Sequence, residues 1–243
     1  MPLDSLKRYK RTKYLKKKIE SNGSKQHHAG CPNAQKDLKK GTMTFAVFVL
    51  FSLIASSQSF PPRLLSSNDL SYCYPFPFIS REEWNARPPT SIAKQNLPVP
   101  LVIIHHSYIP GACHNQEECA RTMRSMQNTH QLTNGWADIG YNFAVGSDGV
   151  VYEGRGWNRV GAHAAGFNTN SVGIVLIGDW VSVVPPKQQL KTAKELIEIG
   201  VHLGYISPYY KLIGHRQVRA TECPGEALFN EIKTWDRFTS TVN

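Results

Sequence analysis

The chain is 243 residues long, enough for one good-sized domain with sequence to spare. Its net charge of +10 sits at one end: residues 1–42 hold 12 Lys and Arg against 3 Asp and Glu, which leaves +9 there and +1 on the remainder. A nucleic-acid-binding fold carries its charge on the domain face, so that class is excluded for the folded part, and residues 1–42 read as a solvated, disordered basic tail.

Residues 43–59, MTFAVFVLFSLIASSQS, follow Lys39 and Lys40 and end in small residues at Ala55, Ser56 and Ser57. A basic flank, a short apolar run and small residues are the layout of a secretory signal peptide. The run of about a dozen residues is short beside the roughly 20 that a membrane span needs. A cleaved signal gives a secreted protein. The alternatives are a signal-anchor, with the basic tail left in the cytosol as in a type II membrane protein, and an intracellular form that keeps the tail. Residues 60–75, rich in Pro and Ser, read as a linker. The domain is expected over 76–240.

Within it, LVIIHHS (101–107) predicts a buried strand ending at His105. NQEECARTMRSMQNTHQL (115–132) predicts a helix with Ala120, Met123, Met126, Gln127 and His130 on one face. NFAVG, SDG and VVYEG predict a hairpin turning at Asp148-Gly149. SVGIVLIGD (171–179) is a second buried strand. PPKQQLKTAKELIEIGVHLG (185–204) is a helix with Pro at its start, Gly204 after its end and an inner stripe of Leu190, Ala193, Ile197 and Val201. PGEALFNEIKTWDRF (224–238) is a last helix opened by Pro224. Strands and helices are interspersed, so the class is α/β or α+β, with a central mixed β-sheet flanked by helices.

The chemistry concentrates in GHRQVRATECPG, where His215 precedes Cys223 by eight positions. Imidazole and thiolate are favoured zinc ligands, and His105 at the end of its strand offers a third. Three protein ligands leave one position open, which marks a catalytic rather than a structural zinc. Of the other cysteines, Cys113 and Cys119 are close enough to close a small loop, and secretion would permit the disulfide. Cys31 and Cys73 have no evident partner. An unpaired Cys73 permits a disulfide-linked dimer, so both monomer and dimer stay open.

REEWNAR (81–87), VIIHHS, GWADIGYNFAVGSDGVVYEGRGWN (135–158), GAH (161–163), SVGIVLIGDW and GHRQVRATECPG together resemble the peptidoglycan recognition proteins, which share the type 2 amidase fold with phage amidase-type lysozymes. The resemblance covers about 78 to 238 and is nearest the catalytic insect-type branch. It implies zinc ligands at His105, His215 and Cys223, and an active-site phenol at Tyr141 able to hold a developing oxyanion. It places Thr221 two residues before the cysteine ligand, either donating to the substrate carbonyl or bracing the ligand loop. It puts groove positions at His106, Ser107, His130, Trp136 and His163, and a disulfide between Cys113 and Cys119. In the family, Gly-Trp at 135–136 accompanies diaminopimelate stems and Asn-Phe accompanies lysine stems. The Arg that some receptors aim at the extra carboxylate is replaced here by Thr169. The expected activity is a zinc-dependent N-acetylmuramoyl-L-alanine amidase acting on bacterial peptidoglycan in innate immunity, as scavenger or negative regulator. The alternative is a non-catalytic peptidoglycan receptor, but members of that kind usually lack the cysteine ligand, and Cys223 is present.

Overall fold

The computed structural model describes residues 74–242. The expectations for the basic tail, the signal segment, most of the linker, Cys31 and Cys73 lie outside the described residues.

Six strands form one sheet: β1 (Phe78–Ile79), β2 (Val99–His106), β3 (Phe143–Val145), β4 (Val151–Glu153), β5 (Ser171–Leu176) and β6 (Ile206–Gly214). Their order is β1-β4-β3-β5-β2-β6. Only the β3–β4 pair is antiparallel, so the sheet is mixed. β2 lies between β5 and β6 and is parallel to both. A strand covered on both faces needs a continuous apolar run rather than alternation, and Leu101, Val102, Ile103 and Ile104 are all buried. Pro100 has no N–H for a ladder bond, and the β2–β6 register shifts between Val99 and Leu101.

The hairpin forms as the sequence predicts. Gly149 turns at φ +80°, a left-handed conformation that glycine adopts without a Cβ penalty. Asp148 closes the turn by accepting from the Val150 N–H at 3.0 Å.

Helix α1 (Gln116–Asn128) is capped by Asn115, whose side chain accepts from the Glu118 N–H at 3.0 Å. It buries Cys119, Ala120, Met123, Met126 and Gln127. Met123 and Met126 pack with Trp84, Ile139, Ala144 and Val175 in one core cluster, which the Cys113–Cys119 disulfide joins. The predicted helix continues to 132, but beyond Asn128 the chain widens into a π-helical turn, Thr129–Thr133. His130 is consequently half-buried instead of joining the inner face.

Helix α2 (Lys187–His202) packs against β3, β4, β5 and β6. Leu190, Ala193 and Ile197 are buried as the stripe predicts, whereas Val201 is half-exposed. The last helix, α3, runs only from Glu226 to Ile232, shorter than the 224–238 pattern. Its end is marked by the Thr234 hydroxyl, which donates to the Glu231 carbonyl at 2.7 Å. Among the described residues, no helix is long and apolar enough to cross a membrane.

Candidate active site

Parallel β2 and β6 end at the same edge of the sheet. Ile104 pairs with Gly214, so the next residues of the two strands, His105 and His215, come side by side with ring centroids 4.4 Å apart. Cys223 arrives on the loop after β6, and its path is tightly defined. The Arg216 N–H donates to the Cys223 carbonyl at 2.8 Å, and the Arg216 guanidinium reaches the Glu222 carbonyl and the Glu226 carboxylate. Gly214 lets the loop approach: a Cβ there would lie 2.8 Å from the Phe229 ring and 3.1 Å from Pro224.

The outcome is a cluster in which one ligand atom each from His105, His215 and Cys223 lies within 4.8 Å of the others. Nδ1 of His105 stands 3.7 Å from Sγ of Cys223. A tetrahedral zinc with nitrogen and sulfur ligands separates such atoms by about 3.6 Å, from bond lengths of about 2.0–2.1 and 2.3 Å, so the donor set fits that ion. Burial holds His105 and His215 below the usual imidazole range and keeps them neutral, which suits a ligand nitrogen. Burial also pushes the Cys223 thiol up to about 12, so the thiolate needs a cation to form.

Tyr141 adjoins the cluster, its ring centroid 5.3 Å from that of His105. Burial raises its phenol above the ordinary value, so the group remains a donor. Its carbonyl accepts from the Arg155 N–H at 3.0 Å. The Arg155 side chain staples the same loop by donating to the Ile139 carbonyl at 2.7 Å and the Val160 carbonyl at 2.8 Å. Buried Asn142 binds the Gly156 and Arg159 carbonyls and the Gly173 N–H, each at 2.9 Å. Arg155 and Asn142 were not singled out in the sequence, although both lie in the quoted GWADIGYNFAVGSDGVVYEGRGWN stretch.

His105, His215, Cys223 and Tyr141 line a cleft of about 460 Å³. The expected groove residues His106, Ser107, His130, Trp136 and His163 all line it, as does Thr221. His106 accepts from the Trp180 N–H at 3.3 Å, and burial lowers its imidazole to about 4. His130 Nδ1 accepts from the Gly140 N–H at 3.0 Å while its ring stacks on Trp136 at 4.7 Å. Gly135, at φ +69°, turns the chain into Trp136. Ser107 is committed to the wall, donating to the Pro110 carbonyl at 2.7 Å and accepting from the Gly178 N–H at 2.8 Å. Thr221 Oγ1 accepts from the Cys223 N–H at 3.2 Å, the bracing contact, and that bond leaves its hydroxyl hydrogen uncommitted. Thr169 is exposed and is not among the lining residues; its carbonyl accepts from Gln95 at 2.7 Å. Tyr108, Ala162, Val181 and Glu222 also line the cleft and carried no sequence signal of their own.

The mixed sheet flanked by helices, with two imidazoles, a thiol and a half-buried phenol gathered near the ends of β2 and β6, has the type 2 amidase fold. The chain belongs to the N-acetylmuramoyl-L-alanine amidase family, which its residues 95–226 match. It is 57% identical over 161 residues to Peptidoglycan-recognition protein LB of Drosophila melanogaster, covering 66% of this chain and 69% of that one. It is 45% identical over 165 residues to the human N-acetylmuramoyl-L-alanine amidase, covering 67% of this chain but only 29% of the human one. Among solved structures, a Tyr-to-Phe variant of Drosophila PGRP-LB in complex with tracheal cytotoxin superposes with a TM-score of 0.66 at 56% identity, covering 67% of this chain and 96% of that one. Peptidoglycan recognition protein LE, in complex with tracheal cytotoxin (monomeric diaminopimelic acid-type peptidoglycan), gives 0.66 at 41% identity, covering 67% and 96%.

Proposed function

We propose that the protein is a zinc-dependent N-acetylmuramoyl-L-alanine amidase that cleaves bacterial peptidoglycan between the lactyl group of N-acetylmuramic acid and L-alanine. The observation that carries this is the His105–His215–Cys223 cluster beneath an open cleft with Tyr141 at its side. Zinc bound there would supply a Lewis acid and a water acidified towards a pKa of about 7. The chain's own part is positional and electrostatic. Tyr141, kept protonated by burial, donates to the scissile carbonyl oxygen as it gains negative charge. His130, whose Nδ1 is taken by Gly140, presents its Nε2–H to the cleft beside Trp136.

A preference for diaminopimelate-type stems is part of the proposal. It is supported by Gly135-Trp136 and by the structural relatives bound to tracheal cytotoxin. So is secretion, through residues 43–59, and a role in immunity as scavenger of an elicitor.

The test is turnover of purified muropeptides with and without a chelator, beside Cys223→Ser. Activity is expected to require metal and to vanish in Cys223→Ser while muropeptide binding persists. Undiminished turnover in that variant would sink the mechanism, and binding without any turnover in the wild type would favour the receptor reading. Faster cleavage of lysine-type than of diaminopimelate-type peptidoglycan would remove the stem preference alone. Export is checked by sequencing the N-terminus of protein recovered from the medium of expressing cells.

A further inference from the structure

We propose that His163 is the positioning residue of the metal ligand His105, and that Ser171 and the Phe167 carbonyl complete the hydrogen-bonded chain that holds it. The inference rests on the metal-centre reading above and assigns His163 a task distinct from substrate contact.

The two ring nitrogens of His105 face different partners. Nδ1 faces Cys223 at 3.7 Å, and Nε2 faces Nδ1 of His163 at 3.1 Å. A ligand nitrogen must offer its lone pair, so the proton of neutral His105 belongs on Nε2 and is donated to His163. His163 must then accept at Nδ1 and carry its own proton on Nε2. That nitrogen lies 3.5 Å from Oγ of Ser171, whose hydroxyl donates to the Phe167 carbonyl at 2.6 Å. Each proton along the chain thus has one place. The other tautomer of His163 would set two N–H groups against each other at 3.1 Å.

The fold makes room for this ring and little else. A Cβ at Gly173 would lie 2.4 Å from the His163 ring, and one at Gly161 would lie 2.5 Å from it. The two glycines form a slot in which the imidazole meets His105 edge-on, with planes at 84° and centroids 5.0 Å apart. Asn168 fixes the backbone beneath, its Oδ1 accepting from the N–H groups of His163 and Ala164 at 2.9 and 2.8 Å. The outer nitrogen of a metal-ligating histidine is ordinarily held by a carboxylate, a carbonyl or water, and losing that partner typically weakens metal binding by 10–100-fold. Here an imidazole fills the place.

The experiment is zinc affinity of the substrate-free protein, measured by chelator competition, for wild type, His163→Ala and His163→Asn. His163→Ala is expected to bind zinc about 10–100-fold more weakly. His163→Asn, whose Oδ1 can stand where Nδ1 stood, is expected to retain most of the wild-type affinity. Wild-type affinity in His163→Ala would overturn the proposal, since a residue that only touches substrate leaves zinc binding unmoved. Asn as weak as Ala would overturn it as well. Should His163→Ala fail to fold, Ser171→Ala gives the reading: a several-fold loss supports the chain and an unchanged affinity overturns it. A wild type that takes up no zinc would instead bring down the metal reading itself.

Discussion

Tyr141 and His105 sit with ring centroids 5.3 Å apart and planes at 59°, although 36 positions separate them. The phenol therefore borders the ligand cluster without belonging to it. Tyr141→Phe keeps the ring and removes only the donor. Losing one oxyanion donor costs about 10²–10³ in kcat, with KM and zinc affinity expected to stay near wild type. Steady-state kinetics and chelator titration check this; a matching loss of zinc would show that the phenol serves the cluster instead.

Metal binding should be visible as stability. A ligand that binds only the folded state at a hundred times its Kd stabilises by about 2.7 kcal/mol, a shift of several degrees for a domain of this size. Zinc is expected to raise the Tm of the wild type and to leave Cys223→Ser nearly unmoved. Equal shifts in both proteins would mean that zinc binds elsewhere.

The Cys113–Cys119 bridge closes a loop with a sequence separation of 6. Loop-closure entropy for a ring that small gives about 2 kcal/mol. Replacing both cysteines by alanine should lower unfolding free energy by about that amount, read in denaturant titrations. Cys119 packs in the same cluster as Met123 and Val175, so part of any larger loss would come from the core.

Glu153 offers a test by pH. Burial raises its carboxyl above the ordinary value, and the neighbouring Arg81 offsets this only in part. A pKa higher in the folded state favours the fold while the group is protonated, and that contribution is lost as pH rises through the folded value. Glu153→Gln is neutral throughout. It is expected to resist denaturant better than the wild type at pH 7, with the difference closing as pH falls through the carboxylate range. A wild type more stable than the variant at pH 7 would show that the charge is compensated in the fold.

What the sequence disclosed follows from how local each signal is. β2 and β5 are buried on both faces and read as unbroken apolar runs, and Asp148-Gly149 marks its own turn. β6 gives no such signal, because it lies at the sheet edge, where Pro208, the exposed Tyr209 and the half-buried Lys211 interrupt any apolar run. Its absence from the sequence reading hid the reason His215 meets His105, which is strand pairing. The candidate ligands His105, His215 and Cys223 came from residue type and from the motif around Cys223, and the fold gathers them within 4.8 Å of one another. The partnership of His163 with His105 was not legible in the sequence, since it depends on Gly161 and Gly173 clearing a space that no periodicity announces.

The π-helical turn at Thr129–Thr133 changes what kind of sequence change the groove can bear. In a regular α-helix, His130 would share the stripe of Met126 and Gln127 and turn toward the core. The wider turn is in effect one residue added to the helical count, and it sets the azimuth at which His130 meets Trp136. Exchanging side chains in this turn leaves the count intact. Removing a single residue would reset the helix to its ordinary period and swing the imidazole out of the groove, so this wall of the cleft is specified by chain length as much as by residue identity.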